Sequence, residues 1–252
     1  MSTATQVSGI LLALLAASLT ACAGESPSSE EVGSDGQEIV GGHQAWDHPD
    51  VGQLELSNLK TCTGTLIAPR IVLTAAHCFD FESQGQAKHA GYFFISVPGQ
   101  DTPKPVFYEY EVIRFVSLEH TATLGKNDIA IAQLATAVPS SVAKPYTVGT
   151  HYPVAGVDTA IYGYGAHTPT GGLTGVAYKY RRDFAWHTSG EAGFNYIDDV
   201  TGAGDSGGPV MTAGTGIIGV VSGGYQRAPY QDLFGNVVLN QAWIRAWSAH
   251  WS

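Results

Sequence analysis

The sequence predicts an all-β protein of antiparallel barrel type with a C-terminal helix, on three observations. Glycine is abundant, 31 of 252 residues, while only 13% of residues are charged, and Val, Ile, Tyr and Phe recur in short runs, the composition of a chain with many strands and turns. Those runs are separated at short intervals by turn-formers such as Pro69, Pro98-Gly99, Gly125 and Asn127. Only at the end does the apolar period change from that of a strand to that of a helix.

The first set of strand-like segments lies at residues 53–56, 64–68, 71–73, 92–97, 109–116 and 129–134. A second set follows at residues 159–162, 176–181, 209–211, 217–222 and 236–239. Between them, residues 138–156 are rich in Pro, Ser and Gly and read as a connection. Trp243, Ala246, Trp247 and His250 recur at three and four, so residues 240–251 read as an amphipathic helix with its tryptophans as core anchors.

The front of the chain has a different character. Residues 10–19 form an apolar run too short to span a bilayer and followed by small residues, the pattern of a secretory signal. Leu19-Thr20-Ala21-Cys22 resembles a bacterial lipobox, in which Cys22 would be lipidated and become the mature N-terminus; ordinary cleavage at Ala21-Cys22-Ala23 is the other reading. Residues 1–22 are thus expected to be a signal peptide and residues 23–38 an acidic propeptide or linker. Export follows on either reading, to an outer-membrane or cell-surface lipoprotein in the first case and to a secreted or periplasmic protein in the second. The formal charge of −10 includes five acids and no bases in residues 1–38. No basic patch of the kind nucleic-acid binding requires is present.

Chemistry is concentrated in three segments. Gly204-Asp205-Ser206-Gly207-Gly208-Pro209 places a serine in a glycine-rich turn, where backbone amides can converge on a developing oxyanion. A serine hydroxyl is a weak nucleophile and needs a base and an orienting group behind that base. Leu73-Thr74-Ala75-Ala76-His77-Cys78 offers the histidine, and Asn127-Asp128-Ile129-Ala130-Ile131-Ala132 offers an aspartate that leads into an apolar run and so needs a partner.

With Ile39-Val40-Gly41-Gly42 near the front, these segments closely resemble the trypsin/chymotrypsin family of serine endopeptidases, in the chain order His, Asp, Ser. The resemblance covers Ile39 to Ser252. It implies two antiparallel six-stranded Greek-key barrels, about residues 39–138 and 157–236, followed by the C-terminal helix. It implies that His77 is the general base, Asp128 its orienting carboxylate and Ser206 the nucleophile, with the amides of Gly204 and Ser206 as oxyanion hole and Ser222 beside Asp128. It also implies a zymogen, in which cleavage between Glu38 and Ile39 frees an α-amino group to pair with Asp205. Many family zymogens are cut after Arg or Lys; Gln37-Glu38 here calls for a separate activating protease. Tyr162-Gly163-Tyr164-Gly165 resembles the family's Gly-Trp-Gly turn and is assigned to structure.

Cys62 and Cys78 flank two apolar segments that read as adjacent strands, and the family commonly bridges cysteines at these places, so a disulfide is expected in the oxidising compartment. For the specificity pocket, counting back from Ser206 puts Val200 at the floor, where trypsin-like enzymes carry an aspartate; Asp199 is one position away, and no cysteine anchors this loop as in most relatives. Ser222-Gly223-Gly224 matches the strand that pairs with substrate, with Gly223 in place of the usual tryptophan and Gly224 leaving the mouth open. Counting back from Trp243-Ile244 brings Asp232 to the back wall, where its carboxylate would attract a basic side chain; the other reading leaves it solvated on a loop.

Neither zinc spacing nor an EF-hand pattern occurs, and no cofactor or metal is expected. Residues 80–88 are the one segment left open to a calcium loop of the sort some relatives carry. The expected partners are polypeptide substrates, the activating protease and, through Cys22, a membrane tether, with the enzyme otherwise a monomer. A catalytically silent binding relative of the same fold is the alternative, although such relatives usually lose a triad residue. An esterase of the α/β-hydrolase type using the same serine would run in the order Ser, Asp, His, whereas this chain runs His, Asp, Ser.

Overall fold

The computed structural model describes residues 42–80, 82, 84–85, 90–99, 104–118, 124–165, 180–185, 194–196, 201–225 and 231–252. Cys22, Ile39 and Val200 lie outside them. In chain order the strands are β1 His43–Gln44, β2 Val51–Leu56, β3 Thr61–Ala68, β4 Ile71–Thr74, β5 Gln84–Gly85, β6 Gly91–Val97, β7 Val106–Ser117 and β8 Ala130–Leu134. They continue with β9 Asp158–Gly163, β10 Tyr180–Ala185, β11 Phe194–Tyr196, β12 Pro209–Thr212, β13 Gly216–Tyr225 and β14 Gln231–Asn236, and α1 spans Val237–Trp251.

Two antiparallel sheets result. The first runs β5-β7-β6-β2-β3-β4-β8, and a further pairing of β7 with β8 closes six of its strands into a barrel. The second runs β1-β10-β9-β12-β13-β14-β11 and, among the described residues, shows no closing pair. Residues 138–156 carry no strand; Val148 forms a parallel bridge to Ile217 of the second sheet, and the Tyr152 hydroxyl donates to Asn236 Oδ1 of β14 at 2.7 Å.

Side-chain alternation on β4 and β8 explains why both are buried throughout. Val72, Ala130, Ala132 and Leu134 point into the first barrel, beside Leu54, Phe93 and Val112. Their neighbours Ile71, Leu73, Ile129 and Ile131 point the other way, into a second core shared with Tyr162, Tyr164, Ile217 and α1. A strand with both faces covered reads as an uninterrupted apolar run. Each side chain of this size adds roughly 1.5–3 kcal/mol on full burial, so the shared core fastens the two sheets and with them the segments that carry His77, Asp128 and Ser206.

The C-terminal expectation needs two corrections. Residues 237–239 are helix and not strand: β14 ends at Asn236, whose Oδ1 accepts from the Leu239 N–H at 2.9 Å and caps the helix, so α1 starts at Val237 rather than residue 240. The buried stripe is also rotated from the predicted one. Val237, Ile244 and Trp251, seven residues apart, are buried, whereas Ala246 and His250 are exposed and Trp243 and Trp247 are half-buried. Trp251 is held at its carbonyl by Gln133 Nε2 at 2.6 Å and at its ring by the Arg114 guanidinium at 4.6 Å from the centroid.

Candidate active site

His77 sits in a short 3₁₀ turn, Ala76–Phe79, at the end of β4. The turn stops at Asp80, whose left-handed backbone (φ 55°) lets its N–H reach back to the carbonyls of Ala76 and His77. Asp128 lies just before β8 and is fully buried. Its two carboxylate oxygens both reach His77: Oδ1 accepts from the backbone N–H at 2.9 Å, and Oδ2 lies 2.7 Å from ring Nδ1. The residue is therefore held once at its backbone and once at its ring, and Nδ1 is the nitrogen that faces the carboxylate.

Ser222 completes this arrangement from the second sheet. Its Oγ donates to Asp128 Oδ2 at 2.5 Å and accepts from the Gly125 N–H at 2.8 Å. The β13–β14 register shifts between Val221 and Gly223, so Ser222 stands out of the ladder; a bulge of this kind re-aims a side chain.

Ser206 is half-buried, as is the His77 ring. The loop that carries Ser206 is stitched to β3 by Thr63. The Thr63 N–H donates to the Ser206 carbonyl at 2.7 Å, and Thr63 Oγ1 donates to the Gly204 carbonyl at 2.8 Å while accepting from the Tyr164 N–H at 2.9 Å. Cys62 and Cys78 are bridged, with Cα atoms 6.3 Å apart, so the residue before Thr63 is covalently tied to the residue after His77. Cys78 Sγ is 3.9 Å from the Ser206 carbonyl oxygen. The histidine turn and the serine loop are thus in contact through Thr63 and the disulfide. Sequence reasoning missed Thr63; its one signal was its place next to a bridged cysteine. Cys62, His77 and Cys78 cluster closely enough to hold a metal ion, but the disulfide consumes both thiolates that such a site needs.

Asp205 turns away from this group into a fully buried seat. Its Oδ1 accepts from the Gly165 N–H at 2.8 Å and its Oδ2 from the Gly202 N–H at 2.9 Å. A Cβ on Gly163 would fall 1.9 Å from Oδ1, and one on Gly165 would fall 2.6 Å from it. The two glycines of Tyr162-Gly163-Tyr164-Gly165 are there to admit a carboxylate. Tyr164 itself is buried between the sheets, with its hydroxyl 2.6 Å from Ser96 Oγ and 3.2 Å from the Val51 carbonyl. Burial pushes its phenol up to about 12, against a smaller opposing pull from Ser96.

Of the residues expected at the specificity pocket, Asp232 is fully buried and accepts from Thr201 Oγ1 at 2.7 Å. It pairs across β13–β14 with Gly224, so the two share a face of the sheet. That excludes a solvated loop position. At Gly223 a Cβ would lie 3.0 Å from Leu124 Cδ1, so a partly exposed leucine occupies part of the space next to this glycine. No helix among the described residues is long and apolar enough to cross a membrane.

Comparison with known proteins agrees with this geometry. Residues 39–244 match the family model described as Trypsin. Trypsin alpha of Drosophila erecta and of Drosophila melanogaster are each 26% identical over 257 aligned residues, covering 93% of this chain and 96% of the relative. Trypsin II-P29 of Gallus gallus is 28% identical over 232 residues, covering 84% of this chain and 90% of the relative. The chain belongs to the trypsin family and is a serine endopeptidase.

Proposed function

We propose that Ser206, His77 and Asp128 hydrolyse peptide bonds through an acyl-enzyme, in a chain made as a zymogen and activated by cleavage between Glu38 and Ile39. The observation that carries the proposal is the Asp128 carboxylate, buried and shared between the His77 backbone, the His77 ring and Ser222. With Nδ1–H donating to Asp128, Nε2 is the nitrogen that takes the Ser206 proton as Oγ attacks the substrate carbonyl. Asp128 stabilises the imidazolium, which then gives its proton to the leaving amine; water, activated by the same nitrogen, releases the acyl group. The oxyanion falls to the amides of Gly204 and Ser206. Gly204 has φ 98°, a backbone region that glycine enters without strain.

Activation works through Asp205. Its buried seat is adjacent to the proposed oxyanion amides, and a buried carboxylate is a strong partner for the new α-amino group of Ile39. Cleavage after Glu38 assigns the cut to another protease that accepts an acidic residue. Specificity rests on Val200 and Asp232, an apolar floor and an acidic wall; the burial of Asp232, its bond from Thr201 and its register with Gly224 support the wall. The substrates are polypeptides, the enzyme acts as a monomer, and the leader exports it, with Cys22 as lipid tether. No residue of the His77–Asp128–Ser206 set is missing, which disfavours a silent binding role.

The test is a fluorophosphonate probe on protein cut at Glu38–Ile39. Ser206 should be labelled in the cut form and far more slowly in the uncut form, and Ser206→Ala should abolish labelling. Absence of labelling in folded, correctly cut protein would overturn the assignment.

A further inference from the structure

We infer that Lys60 and Asp80 are positioning residues for His77, forming a charge-balanced clamp on its backbone that sets the acid side of the pH–rate profile. The inference rests on the reading of His77 as general base. The β2–β3 hairpin turn reaches under the histidine turn: Lys60 Nζ donates to the His77 carbonyl at 2.7 Å and pairs with Asp80 Oδ1 at 2.5 Å. Asn58 Nδ2 bridges the Cys78 carbonyl at 3.0 Å and Asp80 Oδ2 at 2.7 Å, while Asn58 Oδ1 accepts from the Lys60 N–H. His77 is therefore gripped at its N–H by Asp128 and at its carbonyl by Lys60 and by the Asp80 N–H.

The charges matter as well as the bonds. An ammonium against the His77 carbonyl opposes formation of the imidazolium that catalysis requires, and the Asp80 carboxylate beside it cancels that field. Both side chains are exposed enough to feel solvent, at 41% for Lys60 and 53% for Asp80, so each acts on the ring through a screened field. The Asp80 carboxyl is held below the usual range, first by its bond from Lys60, then by that from Asn58, with a smaller contribution from His77 itself. The other elements against the turn bring Asp128 on Nδ1, the Cys62–Cys78 disulfide and Phe115 of β7, which stacks on Phe79 at 4.0 Å; Arg114 of β7 is turned to Trp251.

The experiment measures the second-order rate of fluorophosphonate labelling of Ser206 against pH, using protein cut at Glu38–Ile39. Asp80→Asn leaves the ammonium uncompensated and moves the acid limb to lower pH by about half a unit; Lys60→Gln leaves the carboxylate and moves it up by about as much. The double variant returns close to the parent, Lys60→Arg keeps the parent limb, and both single shifts shrink in ~1 M salt, where charges are screened within about 3 Å. Thermal melts within a few degrees of the parent verify the fold of each variant. Limbs that stay still, or both single variants moving the same way, overturn the clamp while leaving the general-base reading intact. A parent protein that labels at no pH overturns that reading, and the clamp with it.

Discussion

Ser222 Oγ and His77 Nδ1 meet on one oxygen, Oδ2 of Asp128, at 2.5 and 2.7 Å. The first comes from a bulge in the second sheet and the second from the turn after β4, so a single buried carboxylate joins both halves of the molecule to the imidazole. Asp128→Asn puts an amide N–H or a neutral carbonyl where the imidazolium needs a charge. Fluorophosphonate labelling of the cut enzyme at neutral pH should fall by about four orders of magnitude, with the thermal midpoint little changed. A drop below tenfold would show that the carboxylate does not orient the base.

Asp232 gives a prediction about substrate choice. It is buried and holds the Thr201 hydroxyl, so an incoming basic side chain would meet a carboxylate already braced in one orientation. Profiling the activated enzyme on a peptide library should show cleavage after basic and apolar residues. In Asp232→Asn the basic share should fall by tenfold or more, about 1.4 kcal/mol or more of lost charge pairing, while apolar cleavage persists. An unchanged basic preference removes Asp232 from the pocket.

The disulfide spans a sequence separation of 16 residues. Closing a loop of this length removes roughly 3 kcal/mol of unfolded-state freedom. Cys62→Ala with Cys78→Ala should lower stability by about that amount in denaturant titration, and labelling should slow because β3 and the histidine turn are no longer covalently joined. Full activity with unchanged stability would separate the bridge from the site.

Tyr164 predicts an alkaline limit. Its phenol is raised from 10 to about 12 by burial, so the folded state holds its proton more tightly than the unfolded chain does. The stability that this supplies is complete below pH 10 and is lost as pH rises toward 12, by about 3 kcal/mol in all. Tyr110, Tyr146 and Tyr152 are raised in the same direction, so the diagnostic quantity is the difference between parent and Tyr164→Phe. That difference in thermal midpoint should narrow as pH rises from 9 to 12; a constant difference would contradict the assignment.

Much of this was legible in the chain because it is local. Turn-formers between apolar runs announce strands, and the residues around His77, Asp128 and Ser206 form specific signatures that led to the fold, the reaction and the disulfide. The helix start was missed because Asn236 opens an apolar run, Val237-Val238-Leu239, that looks like strand, and only its side-chain bond to the Leu239 N–H marks a cap. The helix face was misjudged for a related reason: periodicity shows which residues are large and apolar, whereas the flanking sheet decides which side it covers.

The linear order of His77, Asp128 and Ser206, the glycines around the serine and the pair of cysteines settle the family and the chemistry, since such motifs are read from neighbours along the chain. Tertiary structure decided everything that depends on contacts between distant segments. Thr63 carries the Ser206 loop, 141 residues from Gly204 in sequence; Asp232 is buried against Thr201 rather than solvated; Gly163 and Gly165 make room for Asp205; and Lys60 reaches the His77 carbonyl. Hydrogen bonds and desolvation act over a few ångströms of space, and sequence distance carries no information about which residues will share them.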